Sequence, residues 1–267
     1  MTFFSSLLQT NPTYKPAADR LFAALDLYGL KYTFINQTKD IWLRDFMPVK
    51  TKNGTYSSFR YEPSYLKAFP QLRTNYRRDV APQFSFPVTC STINLDGGNV
   101  VFSPSKAKAL LSDRVFAENP SYAKAALVRE LERLLEAQVI VIPSLKSDMT
   151  GHADGMVRFV DEKTALGNDI RIRDGLERRI KHILKEHGIH VIDFPYREAR
   201  GISAVGSYLN FLETERYIFL PVFGLNRDKE AVSAAHQIFS KTVIPVSIRE
   251  IARQGGCLNC ISWEWDV

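Results

Sequence analysis

Residues 100–142 read VVFSPSKAKALLSDRVFAENPSYAKAALVRELERLLEAQVIVI, and the order of elements in this block decides the fold class. Val100 to Ser103 and Ala107 to Val115 are strand-like apolar runs, the second with a lysine-rich start. Ser121 to Ala137 is built from good helix formers, with an apolar stripe at Ala125, Leu127, Val128, Leu131, Leu134 and Leu135. Val139 to Ile142 is a strand again, ended by Pro143. The block therefore predicts two strands, a helix and a third strand.

The same alternation continues on both sides. Upstream, Pro16 to Leu27 predicts a helix stopped by Gly29, and Tyr32 to Ile35 a short strand. Thr55 to Tyr61 and Val88 to Leu95 predict strands, and residues 62–87, rich in Pro, Tyr and Arg, a long surface loop. Downstream, Lys163 to Leu166 and Ile189 to Phe194 predict strands around a helix from Arg171 to His187. Tyr208 to Leu212 and Tyr217 to Val222 predict a strand pair, followed by a helix from Asp228 to Ser240 and a strand from Val243 to Val246. Ile248 to Arg253 predicts a helical turn, and a last strand follows GGCLNC. Strand pairs punctuated by helices indicate an α/β or α+β chain. The unit recurs about every 50 residues, the period of a radial repeat array, although no repeat is visible in the residues themselves. No composition break marks a boundary, so residues 1–267 are read as one domain.

Composition narrows the function classes. A chain of 267 residues can bury a sizeable core, and its 45% hydrophobic and 24% charged content is ordinary for a globular protein. No run of about 18 apolar residues exists, so neither a membrane span nor a membrane partner is expected. The start, MTFFSSLLQTNPTYKP, lacks a basic region and a small-residue cleavage site, so no secretory signal is expected. Three cysteines make no disulfide framework, which fits a reducing cytoplasm. The net charge of +6 raises nucleic-acid binding. The basic residues Arg171, Arg173, Arg178, Arg179, Lys181 and Lys185 are interrupted by Asp169, Asp174, Glu177 and Glu186, which reads as the solvated face of a helix. No nucleic-acid partner is expected.

Four segments set reactive groups beside turns. In Asp148–Val160, DMTGHADGMVRFV, His152 and Asp154 are two residues apart; on an extended strand both would point to one face. Trp42-Leu43-Arg44-Asp45 reads on its own as a surface ion pair, Asp96-Gly97-Gly98-Asn99 as a hairpin turn, and Gly255-Gly256 as a turn before Cys257-Leu258-Asn259-Cys260. The Cys-x-x-Cys lacks the further ligands at matching spacing that zinc needs, and it lies too far along the chain for a thioredoxin-type pair. Beside a bystander pair, a single nucleophilic thiolate with His152 as its distant base is the third option.

Taken in order, WLRD with Pro48, DGGN, TGHADGMVRF and GGCLNCIS resemble the agmatine deiminase and bacterial-type peptidylarginine deiminase family of guanidine-modifying enzymes. SYLNF at 207–211 and LPVFG at 220–224 add to the likeness, which runs from about residue 40 to the end. The resemblance implies a five-bladed α/β propeller (pentein), with pseudo-fivefold ββαβ repeats around a central active-site channel. It implies Cys260 as nucleophile, His152 as acid and then base, and Asp45 and Asp154 as holders of the guanidinium. It places Asp96, Trp42, Asn210 and Asn259 at the substrate. No metal and no cofactor are implied. Three positions depart from the pattern: Asn259 stands where the family has His, Asp96 where it has Glu, and Cys257 where it has Asn.

The chemistry is coherent with the residues. A guanidinium is a flat cation whose N–H groups form charge-assisted bonds to flanking carboxylates. The expected partner is a small cationic guanidino substrate: agmatine, arginine or peptidyl arginine. The expected reaction yields a ureido group and ammonia through a covalent thiouronium. The alternatives are an amidinotransferase on the same fold and a guanidine-binding homologue without turnover. The aromatic residues Tyr56, Phe59, Tyr61, Tyr65, Phe69, Tyr76 and Trp263 either line a pocket or pack the core. Oligomeric state, a homodimer included, stays open.

Overall fold

The computed structural model describes residues 1–169, 175–198 and 201–265. Among them lie five sheets, each of three strands, and in four of them the central strand pairs antiparallel on one side and parallel on the other. The block read first shows it. Val101–Phe102 pairs antiparallel with Lys108–Ser112, the helix Lys124–Leu135 crosses over, and Gln138–Ile142 returns parallel to Lys108–Ser112. A parallel return needs such a crossover, since a tight turn can only reverse the chain.

The helix buries Leu127, Leu131, Leu134 and Leu135 of the expected stripe, whereas Val128 is half-buried and Ala125 is exposed. They pack with Ile93, Ala109, Leu111 and Val139 into one apolar cluster. Its C-cap, Glu136, adopts the left-handed conformation (φ +53°), and its carboxylate accepts hydrogen bonds from Thr51 Oγ1 and the Asn53 N–H.

The chain divides into two compact units, Met1–Arg44 with Asn168–Ile170 and Phe194–Val267, and Asp45–Gly167 with Arg171–Asp193. The second unit holds the sheet just described and the sheet Val49–Lys50, Tyr56–Arg60, Val88–Asn94. Apart from its last residues, it also holds the sheet Val157–Phe159, Thr164–Asn168, His190–Phe194. The helix Leu176–Glu186 covers the last of these with Leu176, Ile180 and Leu184, while Arg178, Arg179 and Lys185 are exposed. The expected start of this helix at Arg171 lies outside the described residues.

The first unit holds the sheet Leu212–Glu213, Tyr217–Val222, Thr242–Ser247, with the helix Arg227–Ile238 as crossover. Its other sheet has Thr2–Ser5 at the centre, parallel to Tyr32–Ile35 and antiparallel to Ser262–Glu264. The helix Lys15–Leu27 connects the parallel pair, and the Phe22 ring stacks on Tyr32 at 5.0 Å.

Three departures from the sequence expectations have physical causes. Thr2–Ser5 is a strand that the sequence did not signal: all its residues are buried, so it lacks the alternation of a half-exposed strand. The run Ala107–Val115 stops pairing at Ser112 and turns into the helix Arg114–Glu118, whose Val115 is buried. In the run Tyr208–Leu212 only Leu212 joins a strand; the backbone of Asn210 instead accepts the Asn259 N–H at 3.2 Å. No helix among the described residues is long and apolar enough to cross a membrane.

Candidate active site

The second unit gathers four of the expected residues into one buried cluster. Asp45, Asp96, His152 and Asp154 are all at most 8% exposed. His152 Nε2 lies 2.8 Å from Asp96 Oδ2, and Nδ1 lies 3.5 Å from Asp45 Oδ1. Asp154 completes the ring of acids, since its field also acts on the imidazole. Burial alone would push the His152 pKa down. The nearby Asp45 charge, the hydrogen bond to Asp96 and the fields of Asp96 and Asp154 outweigh it and raise the pKa to about 10. His152 is therefore an imidazolium at neutral pH.

Local sequence explains how the cluster is held. The expectation of His152 and Asp154 side by side on a strand needs correction. Ala153–Gly155 form a 3₁₀ turn, and pairing begins only at Val157. The Ala153 N–H donates to Asn99 Oδ1, which also accepts the Ser112 N–H, so one amide side chain pins this turn to the glycine turn and to a strand. Gly97–Asn99 is likewise a 3₁₀ turn, with Asp96 as its N-cap residue. The Gly98 N–H donates to Asp45 Oδ1 at 3.1 Å. A Cβ on Gly98 would sit 2.6 Å from that oxygen and 2.7 Å from His152 Nδ1, so only glycine lets the two approach.

Tyr65 belongs to the same cluster. Its hydroxyl donates to Asp96 Oδ2 at 2.8 Å, the oxygen that His152 also contacts, and its ring meets the imidazole edge-on at 6.2 Å. Burial, then the Asp96 charge, hold this phenol's pKa well above its usual value, so it stays a donor. Among the aromatics of that region, sequence spacing could not separate Tyr65 from ordinary core residues.

The first unit holds the expected nucleophile in a tight turn. The Ile261 N–H bonds back to the Cys257 carbonyl at 3.3 Å, and the Cys260 N–H donates to Asn210 Oδ1 at 3.2 Å. Asn210 thus holds the backbone of Cys260. A Cβ on Gly256 would meet Trp42 Cζ3 at 2.5 Å and Cys260 Cβ at 3.0 Å, which makes Trp42 the wall against which the turn is packed. Arg44 clamps the same turn: its N–H bonds to the Cys260 carbonyl, its Nε to the Asn259 carbonyl, and its Nη2 to both oxygens of Glu264. The bland reading of Arg44-Asp45 as a surface ion pair is corrected here, since Arg44 pairs with Glu264 and Asp45 is buried by His152. Asn259 is buried, with its backbone engaged on both sides.

None of the three cysteines is in a disulfide. Among the described residues no group of His, Cys, Asp and Glu is arranged to hold a metal ion.

Solved structures share this fold. An agmatine deiminase from C. jejuni with substrate bound is 18% identical, with 98% of this chain and 92% of that one covered and a TM-score of 0.75. An agmatine deiminase of Enterococcus faecalis is 17% identical over 98% and 81% of the two chains, with a TM-score of 0.74. SxtG, an amidinotransferase from Microseira wollei, is more distant, at 12% identity over 98% and 92% and a TM-score of 0.61. The five three-stranded sheets are those of the five-bladed α/β propeller fold that these enzymes share. No curated protein matches the chain by sequence. The profile of the Porphyromonas-type peptidyl-arginine deiminases, however, matches residues 7–265, nearly the whole length, and the chain belongs to that family.

Proposed function

We propose that this protein is a guanidine deiminase, hydrolysing the terminal guanidinium of agmatine or of an arginine-type substrate to a ureido group and ammonia. The observation that carries the reading is the buried imidazolium surrounded by Asp45, Asp96 and Asp154. Three carboxyl groups face a single imidazole, and this excess of acids suits a second, flat cation bound by bidentate contacts. Asp45 and Asp154 take the guanidinium nitrogens in this reading.

Cys260 attacks the guanidinium carbon as a thiolate, a form that the bound cation favours. Collapse of the tetrahedral adduct breaks a C–N bond, and His152 gives its proton to the departing nitrogen, which leaves as ammonia. The substrate is then a thiouronium on Cys260. His152, now neutral, takes a proton from water as its oxygen adds to the same carbon. Expulsion of the Cys260 thiolate, with loss of the hydroxyl proton to solvent, gives the urea. A histidine that begins charged fits this order of proton transfers.

The test is ammonia release from agmatine, free arginine and an arginine-containing peptide, with no amine acceptor added. At least one should yield ammonia and ureido product in equal amounts, and Cys260→Ser should abolish turnover. Guanidine consumption that appears only with an added amine would make the protein an amidinotransferase. Binding without any turnover would make it a guanidine-binding homologue.

A further inference from the structure

We propose that Cys257 and Cys260 close into a reversible disulfide that takes the nucleophile out of action when the protein meets a hydroperoxide. The two thiols lie in one turn, closed by the Ile261 N–H to the Cys257 carbonyl. Residues three apart on such a turn hold their Cβ atoms at roughly 5–6 Å, so a disulfide needs a closure of only about 1–2 Å. The packing already leans that way. Cys260 Cβ lies 3.0 Å from where a Gly256 Cβ would stand, so it is folded back over the residue that precedes Cys257. Gly256 itself has no side chain to keep the two apart.

The two thiols differ in the way an oxidation relay needs. Cys260 is half-buried and is the group that meets reagents, whereas Cys257 is fully buried with its Sγ 3.6 Å from the Ala204 carbonyl. In the first step the Cys260 thiolate attacks a peroxide oxygen. An S–O bond forms, the O–O bond breaks, hydroxide leaves, and sulfur is oxidised to a sulfenic acid. In the second step the Cys257 sulfur turns from Ala204 and attacks Cys260. The S–S bond forms, the S–O bond breaks, and the hydroxide takes the Cys257 proton to leave as water. A dithiol reductant reverses the product by exchange. The third cysteine, Cys90, is exposed on a strand of the other unit and is not part of the relay.

The loss of turnover rests on the reading of Cys260 as nucleophile; the disulfide itself does not, and mass separates the two. The experiment uses the full-length protein carrying Cys90→Ser, so that exposed-thiol chemistry does not intervene. It is treated with excess hydrogen peroxide, quenched by alkylation and digested with trypsin. The peptide that follows Arg253 contains both cysteines. It should be lighter by two hydrogens, and dithiothreitol should then restore most of the activity. Adding Cys257→Ser should leave Cys260 to over-oxidise, with the peptide heavier by two oxygens and at least about tenfold less activity recovered. An over-oxidised Cys260 beside an alkylated Cys257 in the protein that retains Cys257 would overturn the proposal. So would equal recovery with and without Cys257. A disulfide in a protein that retains full turnover would leave the pair standing and sink the assignment of the nucleophile.

Discussion

The turn around His152 and the turn around Cys260 each hold one reactive side chain, and they do so by different physics. His152 is positioned by charge: three acids and a phenol surround it, and the acids keep its proton in place against the cost of burial. Cys260 is positioned by shape and by backbone bonds. Its N–H is taken by Asn210, its carbonyl by Arg44, and the indole of Trp42 fills the space that a side chain at residue 256 would need. Each device rests on one glycine that permits a close approach, Gly98 in the first and Gly256 in the second. The charged device should fail on loss of a charge, and the steric device on gain of a methyl group.

The largest effects should come from alanine at these glycines, and their signatures should differ. Gly256→Ala sets a methyl carbon 2.5 Å from the Trp42 ring. Overpacking of that kind costs about 1–3 kcal/mol of stability, and displacement of the nucleophile by about 1 Å costs roughly a hundredfold in kcat. The pH profile should keep its shape. Gly98→Ala presses instead on Asp45 Oδ1 and His152 Nδ1, at 2.6 and 2.7 Å. It should lower kcat similarly while moving the alkaline limb of the profile, because it parts the imidazole from a carboxylate. Identical profiles for the two variants, measured by ammonia release across pH, would erase the distinction.

The contrast also explains what the sequence could and could not reveal. The strand–strand–helix–strand plan was legible at Val100–Ile142, because a helical stripe and apolar runs follow from local spacing alone. The motif residues were legible too, and Asp45, Asp96, His152 and Asp154 do meet in one cluster. Their backbone was not: the period-two argument put His152 and Asp154 on a strand, whereas Asn99, more than fifty positions away, holds them in a 3₁₀ turn. Arg44 was misjudged for the same reason, since its partner Glu264 lies 220 positions along the chain. Tyr65 sits in a stretch rich in aromatics, and nothing in its spacing marks it as the hydroxyl that reaches Asp96. Long-range polar bonds have no period, so sequence patterning is blind to them.

A smaller effect should follow from Asp96→Asn, which keeps the shape of the charged turn and removes one charge. The hydrogen bond and the field of Asp96 both help to lift the His152 pKa to about 10, so their loss lowers it. The alkaline limb should move down by about one to two pH units, with kcat near neutrality falling roughly tenfold. The matched change on the other side, Asn210→Asp, brings a charge to the steric turn. It should weaken the turn without the same displacement of the limb. A limb that stays in place in Asp96→Asn would mean that His152 does not set it.

The last test probes the charge device without any substrate. The folded-state pKa of His152 is raised to about 10, against 6.5 for an unperturbed histidine. A raised pKa means that folding holds the proton more tightly. The resulting stabilisation is fully present below about pH 6.5, declines as pH rises, and is gone above about pH 10. The slope over that range is at most about 1.4 kcal/mol per pH unit, and each kcal/mol moves the melting temperature of a chain this size by roughly 2–4 °C. Thermal unfolding from pH 6 to 10 should therefore show the unmodified protein losing its advantage over His152→Gln steadily as pH rises. The difference between the unmodified protein and Gly256→Ala should have no such trend, because a methyl group does not titrate. A constant gap between the unmodified protein and His152→Gln over that range would mean that the imidazole carries no extra proton in the folded state, and the two turns would then be held by the same physics.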